Sequence, residues 1–125
     1  MRNFNLVVLE GNLVSDPEIR STQNGTALCT FSIASNYSFY KDEELQEEVY
    51  FLDVTVWAKL AELCNEHLKK GRRVIVNGRI KQSKWLDDDG GTHSKISIVG
   101  NQVQFLDFKD SQKDEAELSE ENVPF

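Results

Sequence analysis

Apolar and polar residues alternate with a period of two along much of this chain, and in one stretch that period gives way to a helical one. Residues 4–9 are nearly continuous apolar, from Phe4 through Leu6, Val7, Val8 and Leu9, and the run stops at Ser15-Asp16-Pro17. Apolar positions on both parities predict a strand covered on two sides, or one that meets a second subunit. Asn24-Gly25 is a dipeptide that closes tight hairpins. Residues 26–38 then alternate, with Cys29, Phe31 and Ile33 on one parity and Thr30, Ser32 and Ala34 on the other, the signature of a half-buried strand. Tyr37 falls on the inward parity. Residues 39–48 are polar and acidic without a convincing period, and they read as a long, mobile hairpin loop. In residues 49–57, Tyr50, Leu52, Val54 and Val56 share the inward parity. Phe51, Asp53, Thr55 and Trp57 share the wetter one.

The period changes at residue 58. Leu60, Leu63, Cys64 and Leu68 fall at helical spacing, and Lys69-Lys70 before Gly71 predict cations in a last turn followed by a glycine stop. Strand signals resume with Val74, Val76 and Ile80 inward and with Arg73, Asn77, Arg79, Lys81, Ser83 and Trp85 outward. Asp87-Asp88-Asp89-Gly90-Gly91 reads as a solvated turn, and residues 93–106 as a last strand with Ile96 and Ile98 inward. Three strands, a helix and two more strands predict an all-β fold, a five-stranded OB-fold barrel with one helix between strands 3 and 4. A helix-backed open sheet is the rival on pattern alone. Beyond Phe108 the apolar period is lost, which predicts a disordered acidic C-terminal tail. The chain thus divides into a folded domain, 1–108, and a tail, 109–125.

Charge first misleads and then helps. The 125 residues hold 14 Lys+Arg against 21 Asp+Glu, a formal net charge of -7, which weighs against a polyanionic partner. The acids are segregated, however. Residues 109–125 carry a net of -4 and residues 1–108 a net of -3. Within the body the excess gathers at Asp42, Glu43, Glu44, Glu47 and Glu48 and at Asp87 to Asp89, both read as loops. The remaining surface is near neutral or mildly basic, and a nucleic-acid partner stays open.

Other classes find less support. No stretch approaches the roughly 20 apolar residues that span a bilayer, so no membrane partner is expected. The N-terminal run reads as a strand rather than a signal peptide. Cys29 and Cys64 stand singly in apolar patterns, as buried thiols of a reducing, cytoplasmic compartment do. His67 and His93 have no zinc-like spacing to either cysteine, and no P-loop, dinucleotide glycine pattern or nucleophile elbow is present. No catalytic residue, metal or cofactor is expected, and the protein does not read as an enzyme.

Sites for single-stranded nucleic acid combine cations that follow the backbone with aromatic rings on which bases stack. The fourth predicted strand supplies Arg73, Arg79, Lys81 and Trp85, with Lys84 adjacent and Lys95 across the hairpin. The third supplies Phe51 and Trp57, and Phe39 and Tyr40 stand at the mouth of the acidic segment. Strand aromatics are more often core or subunit contacts than platforms. Trp85 departs from that expectation because its neighbours are polar or basic, whereas Trp57 ends a strand and could cap the barrel.

These residues also resemble a known family, the bacterial-type single-stranded DNA-binding proteins. The similarity runs from Asn5 through Gly11-Asn12-Leu13, Asp16-Pro17-Glu18-Ile19-Arg20, Asn24-Gly25 and Ser32-Ile33-Ala34. It continues through Trp57 to Glu62, Lys69-Lys70-Gly71, Val74 to Gly78 and Lys84-Trp85, and ends at Val123-Pro124-Phe125. The resemblance implies an OB-fold that assembles, usually as a homotetramer, and wraps ssDNA over aromatic and basic surfaces. It places Phe39, Phe51, Trp57 and Trp85 at stacking positions. It also implies a nucleoid-associated protein whose C-terminal tip, here Glu120, Glu121, Val123, Pro124 and Phe125, docks replication, recombination and repair proteins. Leu52 departs from a histidine common near a subunit contact, and the linker before the tip is short, as in a phage or specialised member. A primosome accessory protein of the same fold and an RNA-binding OB module are the alternative readings. The acidic aromatic tip argues against the first, and stacking with phosphate contacts does not by itself separate DNA from RNA.

Overall fold

A computed structural model describes residues 3–106; the segment 109–125, expected above to be a disordered tail, lies outside the described residues. In chain order the elements are β1 (Val7–Leu13), β2 (Glu18–Ser21), β3 (Ala27–Lys41), β4 (Glu44–Trp57), α1 (Ala58–His67), β5 (Arg73–Leu86) and β6 (Thr92–Leu106). The strands form one sheet in the order β1-β5-β6-β4-β3-β2, and an additional pairing of β1 with β3 closes it.

That closure makes a barrel of five. β1 runs antiparallel to β5 from Val7↔Gly78 to Asn12↔Arg73, then crosses to β3 at Asn12↔Ala34 and Leu13↔Ile33. After the bend at Ser15 to Pro17 the chain continues as β2, still on β3, from Glu18↔Thr30 to Ser21↔Ala27. β1 and β2 are therefore two halves of one bent strand, and the helix separates the third and fourth strands of a five-stranded OB-fold. The bend is fastened from below: Lys70 N–H donates to Asp16 Oδ1 (2.8 Å), and Gly71 N–H donates to the Leu13 carbonyl (2.9 Å). On the far side, a short parallel contact of β4 with β6, Val54↔Ile98 and Thr55↔Val99, completes the ring.

Closing so small a ring brings backbones within reach of one another, and two glycines allow it. A Cβ at Gly78 would lie 2.0 Å from the Val99 carbonyl oxygen, and one at Gly11 would lie 2.5 Å from that of Ala34. Gly78 also marks a register shift where β6 carries an extra residue, Asn101, and bends. Inside lie Leu13, Cys29, Phe31, Ile33, Val54, Val56, Val74, Val76 and Ile98, with Ala61, Cys64 and Leu68 closing one end. No polar or charged residue is buried among the described residues. The apolar period of two thus predicts the barrel interior correctly, including the inward Val54-Val56 and Val74-Val76 pairs.

The expectations fail where the strands outrun the barrel. Residues 39–48 are not a loop. β3 and β4 continue as a paired ribbon to Lys41↔Glu44, turned by Asp42 (φ 53°) and Glu43 (φ 69°), whose consecutive positive φ values match a two-residue hairpin turn. Tyr50, expected inward, is half exposed, as is Tyr37, because both lie on this ribbon past the end of the core. Ile80 and Ile96, also expected inward, are exposed on the β5–β6 ribbon for the same reason. The helix ends earlier than its apolar spacing predicts. His67 is the basic residue of its last turn, Leu68 stands at the C-cap, and Lys69 and Lys70 follow outside it. Leu63 is largely exposed, and Ala61 takes the buried position instead.

Candidate nucleic-acid interface

The outer surface of the barrel is set by the same alternation that fills its interior. On β4 the residues of the parity opposite to the buried Val54 and Val56, namely Phe51, Asp53, Thr55 and Trp57, point outward; Phe51 is 67% exposed and Trp57 42%. Antiparallel pairing places Ser32 beside Asp53 and Thr30 beside Thr55. On the other flank β6 presents Lys95 and Ser97, and β5 follows with Arg79, Lys81, Ser83 and Trp85 through the pairs Lys81↔Ser97, Ser83↔Lys95 and Trp85↔His93. A polar cleft of about 370 Å³ runs along this surface, lined among others by Arg20, Thr30, Ser32, Asp53, Thr55 and Lys95.

Charge on the surface is partly paired. Lys95 Nζ donates to Asp53 Oδ2, and the Ser32 hydroxyl donates to Asp53 Oδ1. These two hydrogen bonds, Lys95 first, hold the Asp53 carboxyl below its ordinary range despite partial desolvation. Arg79, Lys81 and Lys84 form no ion pair among the described residues. Trp85 is 48% exposed and stacks on His93, with ring centroids 5.7 Å apart and planes at 23°.

The structure gathers most of the residues that the sequence singles out and separates the others. Phe51, Trp57, Trp85, Arg79, Lys81 and Lys95 share the outer surface. Arg73 lies six residues from Arg79, about 20 Å along the strand, and pairs with Glu10 through Nη2 at 2.5 Å and Nε at 2.6 Å. Lys84 has the opposite parity to Trp85 and lies on the other side of the β5–β6 ribbon. Phe39 lies on the inner side of the β3–β4 ribbon, stacked on Tyr37 at 5.8 Å. Tyr40, named beside Phe39 at the mouth of the acidic segment, is 76% exposed on the same side as Phe51. The signal that identifies it is the period of two continued through 39–48, hidden because that ribbon buries nothing. The residues at 120–125 lie outside the described residues.

Among the described residues no group of three or more His, Cys, Asp or Glu could hold a metal ion. Cys29 and Cys64 are free and buried; burial, with Cys29 nearby, pushes the Cys64 thiol up to about 12, so it is un-ionised at neutral pH. No helix among the described residues is long and apolar enough to cross a membrane.

Comparison with known proteins agrees with this geometry. Residues 4–106 match the Single-strand binding protein family. The single-stranded DNA-binding protein of Helicobacter hepaticus is 38% identical over 109 residues, covering 86% of this chain and 64% of that protein. Its counterpart in Treponema pallidum is 39% identical over 106 residues, covering 85% and 60%. The chain thus spans less than two thirds of the length of these relatives. Among solved structures, a Plasmodium falciparum SSB in complex with ssDNA superposes with a TM-score of 0.79 at 25% identity, covering 86% of this chain and 98% of that one. Sequence and fold lead to one assignment: the chain belongs to the single-strand binding protein family.

Proposed function

We propose that the chain binds single-stranded DNA without reading its sequence and without catalysis. The observation that carries this is the one outer surface that combines the exposed rings of Phe51, Trp57 and Trp85 with the cations Arg79, Lys81 and Lys95. Each base has a π-face, so stacking holds any sequence, while phosphates meet the cations. OB barrels bind oligonucleotides on the face of their second and third strands and on the loop between the fourth and fifth. Here those are β3, β4 and the β5–β6 turn. Relatives named for this activity, and a similar fold solved with ssDNA, support the reading.

The chain assembles in this reading, as a homotetramer. β1 offers an edge left free beyond its short contact with β3, and Phe4, Leu6 and Val8 stand exposed along it. Light scattering at four protomer masses is the expected result. The acidic tip, Glu120, Glu121, Val123, Pro124 and Phe125, recruits replication, recombination and repair proteins. Its support is the terminal aromatic and carboxylates of the sequence, and Asn122 makes it less acidic than the family's usual tip.

Trp85→Ala tests the binding surface. One stack is worth about 1–3 kcal/mol, so oligo-dT affinity should fall roughly 5- to 150-fold while the melting temperature stays unchanged. Unaltered affinity in a folded variant would remove Trp85 from the interface, and loss of folding would make it a core residue.

A further inference from the structure

We infer that Asp87 and His93 are positioning residues for Trp85: Asp87 fixes the His93 ring, and His93 backs one face of the indole so that the other is presented to a nucleobase. This rests on the reading of Trp85 as a stacking residue. Past Ile80 every residue of β5 is exposed, so the β5–β6 hairpin is a two-stranded ribbon with no core beneath it. Such ribbons are marginally ordered by themselves, and a tryptophan on one has no packing to hold its rotamer.

The turn supplies that hold. Asp87 Oδ1 accepts the backbone N–H groups of Gly91 (2.7 Å) and Asp89 (3.0 Å), and its backbone N–H donates to the Gly91 carbonyl at 2.9 Å. A Cβ at Gly91 would lie 3.0 Å from Asp87 Oδ2, so the glycine leaves room for the carboxylate. Oδ2 is thereby aimed at His93 Nε2, 2.5 Å away. A carboxylate only accepts, so Nε2 carries the hydrogen. The hydrogen bond from His93, followed by that from Gly91, holds the Asp87 carboxyl below its ordinary range.

His93 is the direct cross-strand partner of Trp85, and the rings are nearly parallel at 5.7 Å. Offset stacks of this kind add to cross-strand pairing. The indole stacks on His93 and is left about half exposed, so in this inference His93 covers one face and the other is open. A base arriving on the open face completes a three-layer stack without first ordering the ring, which lowers the entropic cost of binding. Asp87 is thus not surplus negative charge beside a DNA-binding surface. Its charge is spent on a turn and on a ring.

Quenching is read in the single-tryptophan form Trp57→Phe of the full chain, which isolates Trp85, and affinity is read in the full chain with Trp57 in place, each variant compared with its own parent. In free protein, acrylamide quenching of Trp85 should rise about twofold in His93→Ala and in Asp87→Ala, as expected when one ring face is uncovered. Oligo-dT affinity should fall about 3- to 10-fold in both, a fraction of one full stack. His93→Phe, which keeps a flat ring without the hydrogen bond, should restore both readings to within about twofold. His93→Ala with unchanged quenching and affinity would overturn the inference, as would a folded His93→Phe no better than His93→Ala. If Asp87→Ala alone weakens binding, the carboxylate serves only the turn, and the role of His93 falls. An unsubstituted chain that binds no oligo-dT would overturn the function itself, whereas binding that ignores His93 overturns only the brace.

Discussion

Asp53 decides how much positive charge the outer surface can offer. It is the one acid between Phe51 and Thr55 on β4, and it holds Lys95, a cation that the proposed function would otherwise offer to a phosphate. Because its folded-state pKa is depressed, the bonded carboxylate stabilises the fold above the unfolded value near 4. That contribution is lost as pH falls through the lower folded value. Stability therefore declines on the acid side of about pH 4, and Asp53→Asn should lack this part of the decline in pH-dependent urea unfolding. The same variant frees Lys95 and removes a repelling charge. Oligo-dT should then bind more tightly at low salt, with a log-log salt slope steeper by about 0.7, the increment for one added phosphate contact on a single strand. An unchanged slope would show that Lys95 already contacts phosphate with Asp53 present, or never does.

At the scale of elements, the molecule is a closed barrel with two paired ribbons projecting from it, and the barrel and the β5–β6 hairpin were legible in the sequence while the β3–β4 ribbon was not. Val54, Val56, Val74 and Val76 share parity because one side of each strand is buried there, so alternation records the fold. Tyr37, Tyr50, Ile80 and Ile96 keep that parity but lie past the core, where neither side is dry, and the pattern loses its meaning. The β3–β4 ribbon was read as a loop because its turn residues, Asp42 and Glu43, are not the Asn-Gly pair that announces such turns. Tyr40 was legible only as a ring at the mouth of that segment, not as one on the outward side with Phe51. The outward rings of Phe51, Trp57 and Trp85 were readable because each stands among polar residues on a strand whose other parity is apolar. The pairing of Lys95 with Asp53 and of Arg73 with Glu10 was not, since each joins strands distant in sequence. Closure itself hangs on the glycines. Gly78→Ala would force a Cβ against the Val99 carbonyl and should cost about 3 kcal/mol or more in urea unfolding. A variant of near-native stability would mean that the β5–β6 bulge relaxes more freely than its geometry implies.

For the whole molecule, the net charge of -7 describes the binding surface poorly. More than half of the excess lies in residues 109–125, and much of the rest is at the two hairpin turns, where Asp87 is engaged in holding the turn. On the proposed function a segment of net -4 would compete with phosphates for Arg79 and Lys81, so its deletion should tighten oligo-dT binding at low salt and change it little at high salt. Equal affinities of full and shortened chains at low salt would show that the tail does not reach the surface. The central claim is tested most directly by the chain's own tryptophans, Trp57 and Trp85, both placed on the outer surface. Their fluorescence, titrated in parallel with oligo-dT, oligo-rU and duplex DNA, should be quenched strongly and saturably by oligo-dT, more weakly by oligo-rU and scarcely by duplex. A flat response to oligo-dT, or duplex quenching of equal strength, would contradict a surface built to stack unpaired bases.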